Sequence, residues 1–497
     1  MPAKRALFAA MTLVLAVAVP VRGATLPTIE QIDIYPMGWG SNPGPLVPFA
    51  DRVFFYANDN VYGSELWRTD GAPDVNHVGS ELACNVRSDS SGMEGSNPTN
   101  LIVLGDWLYF QASDGTNGYE LYRTNGDIDG CSILAINPGG DASISNPAVA
   151  GDQLWFSADD GSHGAEPWMT DNSSPALVEN INPTGSSDPG GFTKLGSYVY
   201  FAADDGAHGR EVWRSDGTTA TLFWDVNDGA ASSNPRDFIA VGNTLYFTVD
   251  TATQGAELAQ IAVDGYHGVV DIVSGVDGSG PANYTNFNGR LYFTAYTPES
   301  GTEIWRFTSD GLVMNRVTDI NVGGSGSYPQ GLASFGDWLY FQADDGSHGY
   351  ELWRTNGTTT EMVKDINEGS NSGYPYGMTS HLGVLYFQAY SGTLWTIYQT
   401  TGSAASTVEA VQLIGTNPAA GCECYKPIVF LGDRLFTYLY NDVYGWEPAF
   451  FDPLLPSTNR DGSSTPLILV FGAALTAAAA LTLRRVTRVP SVKTWHQ

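Results

Sequence analysis

The chain has few basic residues, with 23 Lys and Arg among 497 residues against 53 Asp and Glu, so its formal net charge is −30. A chain this acidic repels polyanions, which excludes a protein that binds nucleic acid or an anionic lipid surface through its own charge. Cations and cationic surfaces are the electrostatically favoured partners. Hydrophobic residues make up 42% and aromatic residues 12%, so disorder over the whole length is also excluded.

Long apolar runs are confined to the two ends. Residues 1–23 combine Lys4 and Arg5 with an apolar run and small residues at the −3 and −1 positions of a cleavage site after Gly23. This pattern predicts a signal peptide and a mature start at Ala24, with an uncleaved membrane anchor as the alternative.

The other apolar run covers residues 466–483, which carry no charge and precede an Arg-rich tail, 484–497. Eighteen apolar residues can span a bilayer, and the basic tail favours a cytoplasmic C-terminus. We therefore expect a polar stalk at 457–465, a membrane helix, and residues 24–456 outside the membrane. The layout resembles the carboxy-terminal sorting tails of bacterial exported proteins, which a membrane protease often cleaves.

One repeated unit occupies the body of the chain. The Glu of a G-x-E-x-W core recurs eight times, at spacings of 55, 46, 45, 46, 46, 48 and 96 residues, and an aromatic strand such as LYF precedes it nine times. The last spacing covers two units, because the eighth unit has lost its Glu. Residues 24–456 therefore hold nine units of about 48 residues each.

Each unit has the pattern of four short strands joined by Gly-rich and Asp-rich turns. Asp-Gly and Asn-Gly suit tight hairpins, and the consecutive apolar residues of LYF indicate a strand buried on both faces. A blade between two neighbours meets that condition. We predict an all-β fold, a β-propeller of about nine four-stranded blades; an open β-repeat superhelix is the alternative.

The ends of the repeat region bear on that alternative. Residues 28–46 match the fourth strand and link of a unit without its first three strands, and the ninth unit stops after its third strand. A closed ring would satisfy both, because residues 29–35 would pair with residues 449–452 and leave no exposed sheet edge.

Three copies carry the sequences ELWRTDG (65–71), EVWRSDGT (211–218) and ELWRTNGT (351–358). These resemble the ELWxxDGT repeat family of exported bacterial proteins over nearly all of residues 29–452. The resemblance implies a propeller-like fold and an exported location, and it implies no activity.

Cysteine is scarce, with four residues in a compartment that we expect to be oxidising. Cys84 and Cys131 fall on or beside the fourth strands of adjacent units, so we predict a disulfide between them. Cys422 and Cys424 form a C-x-C pair, for which a bridge, two thiols or a metal site remain open.

The hairpin before the repeated Glu suggests one metal site. Three units carry an Asp pair followed by Gly and His, and paired carboxylates suit Ca²⁺, the only cofactor that the sequence suggests. In the alternative, the first Asp of each pair caps loop amides. The candidate calcium ligands are Asp159, Asp160, Asp204, Asp205, Asp344 and Asp345.

The repetition argues against an enzyme, since a catalytic acid would be expected once, in an asymmetric cleft. The recurring Glu and Trp are predicted to be framework, and no recognised catalytic motif occurs. We expect an exported, membrane-anchored surface module for binding or adhesion, with an extracytoplasmic protein or glycan as its ligand. The alternatives are a structural envelope or matrix component and a propeller enzyme that acts on glycans.

Overall fold

Nine four-stranded antiparallel sheets make up the computed structural model of the chain, and they are arranged as a β-propeller, which confirms the fold prediction. The structure describes residues 29–35, 40–71, 79–87, 94–307, 314–412, 427–441 and 445–453. Within these ranges the one helix is a 3-10 turn, Ala404–Ser406, and no helix is long and apolar enough to cross a membrane. The predicted signal peptide, stalk, membrane helix, basic tail, Cys422 and Cys424 lie outside them.

The strands are numbered along the chain, starting with β1 (Glu30–Gln31), which precedes the first blade. Blades 1 to 3 follow in order. They comprise β2 (Val47–Phe49), β3 (Arg52–Asn58), β4 (Ser64–Thr69) and β5 (Ser80–Cys84); β6 (Thr99–Leu104), β7 (Trp107–Ser113), β8 (Tyr119–Thr124) and β9 (Cys131–Leu134); β10 (Ser145–Ala150), β11 (Gln153–Asp159), β12 (Ala165–Thr170) and β13 (Ala176–Leu177).

Blades 4 to 6 have the same strand order. They comprise β14 (Gly190–Leu195), β15 (Tyr198–Asp204), β16 (Arg210–Ser215) and β17 (Ala220–Trp224); β18 (Arg236–Val241), β19 (Thr244–Thr251), β20 (Gly255–Ala262) and β21 (His267–Val270); β22 (Ala282–Phe287), β23 (Arg290–Thr297), β24 (Gly301–Phe307) and β25 (Met314–Arg316).

Blades 7 and 8 are again continuous in sequence, whereas blade 9 takes its outer strand from β1. They comprise β26 (Gln330–Phe335), β27 (Trp338–Asp344), β28 (Tyr350–Thr355) and β29 (Thr360–Lys364); β30 (Tyr376–His381), β31 (Val384–Tyr390), β32 (Trp395–Thr400) and β33 (Val408–Gln412); β34 (Val429–Leu431), β35 (Arg434–Asn441) and β36 (Gly445–Phe451).

The core lies between the blades, which explains the LYF pattern. In blade 7, Leu339 and Phe341 point toward blade 6 and pack against Tyr292 and Ile304. Tyr340, between them in sequence, points the other way and packs with residues of blade 8. Successive side chains of a strand alternate between faces, so a strand with a blade on each side buries all three. Each such side chain stabilises the fold by about 1.5–3 kcal/mol.

The ring closes as predicted. Glu30 pairs with Phe450 and Gln31 with Ala449, so β1 becomes the fourth strand of blade 9. The amide of Ile32 also donates to the carbonyl of Pro448 at 2.8 Å. The first strands of successive blades contact one another around the centre, from β34 through β2 to β30.

The predicted disulfide is present. Cys84 ends β5 of blade 1 and Cys131 begins β9 of blade 2, with their Cα atoms 6.1 Å apart. This separation is typical of disulfides. The bond joins the outer strands of two adjacent blades.

Because the strands of a blade alternate in direction, two kinds of connection emerge on one face, here called the upper face. They are the hairpin between the second and third strands and the link from the fourth strand to the next blade. The predicted site residues are found on this face.

Candidate functional site

The repeated Glu begins the third strand of its blade and is fully buried in all eight copies. In blade 4, Glu211 accepts hydrogen bonds from the Ser233 amide and hydroxyl, both at 2.6 Å, and from the Val226 amide at 2.9 Å. The carboxylate therefore ties its own strand to the link that leads to the next blade. The buried copies are Glu65, Glu120, Glu166, Glu211, Glu257, Glu303, Glu351 and Glu447.

Burial raises the pKa of every one of these carboxyls, although the hydrogen bonds from Ser and backbone amides act against it. For Glu351 and Glu447 the pKa rises to about 7. A raised pKa can mark a catalytic acid. Here no copy has any exposed surface for a substrate, so the framework prediction for the Glu series is confirmed.

The repeated Trp is also framework. Trp213 is only 8% exposed, and Trp67, Trp168, Trp305 and Trp353 pack as partly buried residues against inter-blade clusters. The series therefore offers no row of open stacking surfaces.

The predicted calcium ligands lie in three separate hairpins on the upper face, and the three hairpins have the same geometry. In blade 7, Asp344 Oδ1 accepts from the Gly346 amide at 2.7 Å. Asp345 Oδ1 accepts from the Ser347 and His348 amides, at 2.8 and 2.9 Å, and its Oδ2 lies 2.8 Å from His348 Nδ1. The second Asp as well as the first therefore caps the loop.

The same contacts recur at the other two pairs, Asp159–Asp160 and Asp204–Asp205. Partial burial acts to raise the pKa of Asp345, but the hydrogen bonds from His348 and Ser347 outweigh it, so the pKa lies below its usual value. Within the described ranges no group of three or more His, Cys, Asp or Glu is arranged to hold a metal ion. Calcium binding stays a prediction.

One sector of the upper face departs from the repeat. The residue before Pro in the link is Asn in blades 1, 2 and 5, but it is Tyr328 before blade 7 and Tyr374 before blade 8. A third tyrosine, Tyr350, begins β28. We call these three residues the tyrosine sector. Tyr328 is 49% exposed and Tyr374 45%, and the rings of Tyr350 and Tyr374 stack with centroids 5.8 Å apart.

The backbone at the two exposed tyrosines is strained. Their φ angles are +47° and +48°, in the left-handed region that Asn and Gly tolerate and a bulky residue avoids. Asn42, Asn97 and Asn234 have nearly the same φ at the equivalent positions. Tyrosine here therefore adds backbone strain while about half of the side chain stays exposed, which is typical of residues kept for binding.

A cavity of about 520 Å³ lies where the first strands of blades 6 to 9 begin. Some of its lining residues are close in sequence to the tyrosine sector. Tyr328 is two residues before Gln330, and Tyr374 is two residues before Tyr376, both of which line the cavity. No lining residue has a formal charge. The side chains in the lining are Asn283, Gln330, Gln342, Tyr376 and Pro427.

Gln342 is the most unusual of these side chains. It is 5% exposed, and its Nε2 donates to Gln330 Oε1 at 3.1 Å. Its Oε1 is buried and has no hydrogen-bond partner among the described residues. A buried acceptor without a partner is costly, and among the described residues with such an atom, Gln342 is the one that lines this cavity.

A second cavity, of about 690 Å³, lies between the outer strands of blades 7 and 8. Its lining mixes Lys364 with Asp365, Glu368 and Glu409, and Lys364 Nζ donates to the Thr407 carbonyl at 3.1 Å. This cavity has no exposed aromatic surface like that of the tyrosine sector.

The tyrosine sector was not predicted from the sequence, because its residues differ from those that the units share. The signal was available in the links, where SYP and GYP replace the SNP of other units. The cavity could not be recognised from the sequence, since its lining comes from four blades.

No family model matches this chain, and no curated protein matches it. The likeness to the ELWxxDGT repeat family therefore stays a resemblance of motifs.

Several solved structures are similar to this chain at low identity. One, from a study of two prolyl endopeptidases, is 12% identical, with 73% of this chain and 56% of that chain covered and a TM-score of 0.39. A puromycin-hydrolyzing peptidase of Mycobacterium tuberculosis is 10% identical, with 84% and 61% covered and a TM-score of 0.41. The β-propeller domain of the Trilobed protease from Pyrococcus furiosus is 9% identical, with 63% and 97% covered and a TM-score of 0.34.

Proposed function

We propose that this protein is an exported, membrane-anchored binding module and that the tyrosine sector with its adjacent cavity is its binding surface. One observation carries the proposal. Two tyrosines are held exposed and in a strained conformation at positions where other units have Asn. Tyr374 stacks on Tyr350, but about half of each strained tyrosine faces solvent, so a partner outside the chain is a physical reason for keeping them.

The exported location rests on the apolar ends of the sequence, and the disulfide in blades 1 and 2 is in keeping with an oxidising compartment. The buried Glu series argues against an enzyme that uses these repeated carboxyls, because no substrate can reach them. A matrix component would need a self-complementary surface, for which we have no observation.

The proposal can be tested by adhesion. Beads carrying the full chain, in a detergent without a sugar head group, are applied to surfaces coated with a glycoprotein, a neutral polysaccharide, polylysine or albumin. We expect retention on the glycoprotein or the polysaccharide. The double variant Tyr328→Asn, Tyr374→Asn should lose it, since Asn is the residue that other units tolerate there.

A matched control replaces two exposed tyrosines of other blades, Tyr62 and Tyr266, which are 44% and 64% exposed. The control Tyr62→Asn, Tyr266→Asn should adhere like the parent. Equal adhesion of all three proteins, or adhesion to polylysine alone, would reject the tyrosine sector as the binding surface. Concentration-dependent self-assembly in sedimentation velocity would favour the matrix alternative instead.

A further inference from the structure

We infer that the cavity beside the tyrosine sector binds a neutral saccharide. The inference rests on the proposed function and adds the chemical class of the ligand. Its first support is Gln342, which lines the cavity and whose Oε1 is a buried acceptor without a partner among the described residues. A ligand hydroxyl that donates to this oxygen would remove the penalty of leaving it unpaired.

The remaining polar groups suit hydroxyls as well. Gln330 accepts from Gln342 through Oε1, which leaves its amide Nε2 as a donor at the exposed edge of the cavity. Asn283 donates through Nδ2 to Thr294 Oγ1 at 3.0 Å, which leaves its Oδ1 as an acceptor. Donors and acceptors thus alternate, and a sugar hydroxyl can serve both because it donates and accepts.

Charge narrows the ligand class. The lining has no carboxylate to hold a cation and no basic side chain to hold an anion. The chain has a net charge of −30, and Asp344 and Asp345 lie in the hairpin next to Tyr350, so uronic and sialic acids are repelled. A neutral ligand needs no charged partner in the lining and is not repelled by the acidic chain.

The tyrosine sector supplies the apolar half of the recognition. The C–H faces of a sugar ring pack on the negative faces of aromatic rings, and Tyr is suited to surfaces that must be wet at one end and apolar at the other. The cavity volume lies within the range of small-ligand sites. An oligosaccharide could place one ring in the cavity and another on the exposed face of Tyr328 or Tyr374.

The test measures binding of defined oligosaccharides to the full chain by titration calorimetry. The neutral probes are tetramers of β-linked glucose, α-linked mannose and N-acetylglucosamine, and a galacturonic acid tetramer is the anionic probe. We expect at least one neutral tetramer to bind, and the anionic tetramer not to bind. Gln342→Met keeps the volume and removes the amide, and it should weaken binding by about tenfold, the value of one lost hydrogen bond.

The matched control is Gln111→Met, at the equivalent position of β7 in blade 2, which should bind like the parent. Preference for the anionic tetramer, or neutral binding that Gln342→Met leaves unchanged, would overturn the inference. Bead adhesion that depends on the tyrosines without binding of any neutral tetramer would overturn the saccharide and leave the binding module standing. Absence of both would reject the proposed function as well.

Discussion

Blades 4 and 7 are nearly identical in sequence and differ where a ligand could touch them. Both have the buried Glu, the capped Asp pair and the His of the hairpin. Blade 4 has Ala202, Arg210 and Asn234 where blade 7 has Gln342, Tyr350 and Tyr374. Residues that recur in both blades therefore belong to the framework. The proposed binding surface lies where the residues of blade 7 differ from the repeat.

Arg210 shows how blade 4 uses the same position. Its Nη1 donates to the carbonyl of Asp188, which is the residue equivalent to Tyr328. In blade 7 the positions of Asp188 and Arg210 are taken by Tyr328 and Tyr350, so the Arg side chain that donates to the link carbonyl is replaced by an aromatic ring. We therefore expect substitutions of framework residues to affect the stability of both blades equally. Substitutions in the tyrosine sector and at the equivalent positions of blade 4 should have different effects.

The largest effect should come from opening the ring. Deleting residues 24–37 removes β1 and the buried Ile34, and should lower the free energy of unfolding by about 4 kcal/mol or more. Urea denaturation measures the loss. Hydrogen exchange should rise equally in blades 4 and 7, because both depend on the same closed ring. A deletion of residues 24–28 alone is the control, and faster exchange confined to blades 1 and 9 would contradict a cooperative ring.

Removing the framework carboxyl should have the next largest effect. Glu211→Ala and Glu351→Ala each leave buried amides unpaired, and should destabilise the protein by roughly 3 kcal/mol. Glu368→Ala, at an exposed position, is the control in urea unfolding. A clear difference between blades 4 and 7 in this pair of variants would show that their frameworks are not equivalent.

Stability should fall as the pH rises from 5.5 to 8. Glu351 and Glu447 have a folded pKa of about 7, above the unfolded value of 4.5, so the native state holds their protons more tightly and loses that advantage through pH 7. Each carboxyl contributes on the order of 1 kcal/mol. The rings of His208 and His348 donate to Asp205 and Asp345, which raises the pKa of both histidines, and these act in the same direction.

Blade 4 suggests how to weaken this dependence. Glu211 has the hydroxyl of Ser233 as a donor, whereas Glu351 faces Gly373, which has none. Gly373→Ser should therefore lower the pKa of Glu351 and flatten the pH profile, measured by carboxyl NMR titration. A β-carbon at residue 373 would lie 2.8 Å from Glu351 Oε2, so the carboxylate must shift slightly, and six other blades have Ser at this position. An unchanged pKa would contradict this explanation.

The smallest effect should come from exchanging the face residues. Tyr374→Asn places a residue that tolerates the positive φ, and should stabilise the protein by about 0.5–1 kcal/mol. Asn234→Tyr should destabilise it by a similar amount. Thermal unfolding of both variants measures the difference. Destabilisation by Tyr374→Asn would show that the exposed ring contributes to folding, which would weaken the case for a ligand.

Much of the architecture could be predicted because the repeat is local. Strand pattern, turn residues and the period of about 46 residues recur in every unit, so nine blades follow from one. The incomplete first and ninth units predicted the pairing of β1 with β36. The positions of Cys84 and Cys131 in adjacent units predicted the disulfide. The strands of the structure differ by a few residues from the apolar segments that predicted them, since hydrogen bonding extends each strand past its apolar centre.

The amino-acid sequence by itself determined the propeller, its closure and the buried Glu series, because each depends on contacts that every unit repeats. Only the tertiary structure decided that Asn283, Gln330 and Gln342 share a cavity and that Tyr350 stacks on Tyr374. Asn283 comes from blade 6 and both glutamines from blade 7, and Tyr374 lies in the link that follows the blade of Tyr350, so these contacts depend on how neighbouring blades pack. The burial of one unpaired amide oxygen on Gln342 is likewise a property of the packed blades, which no spacing along the chain expresses.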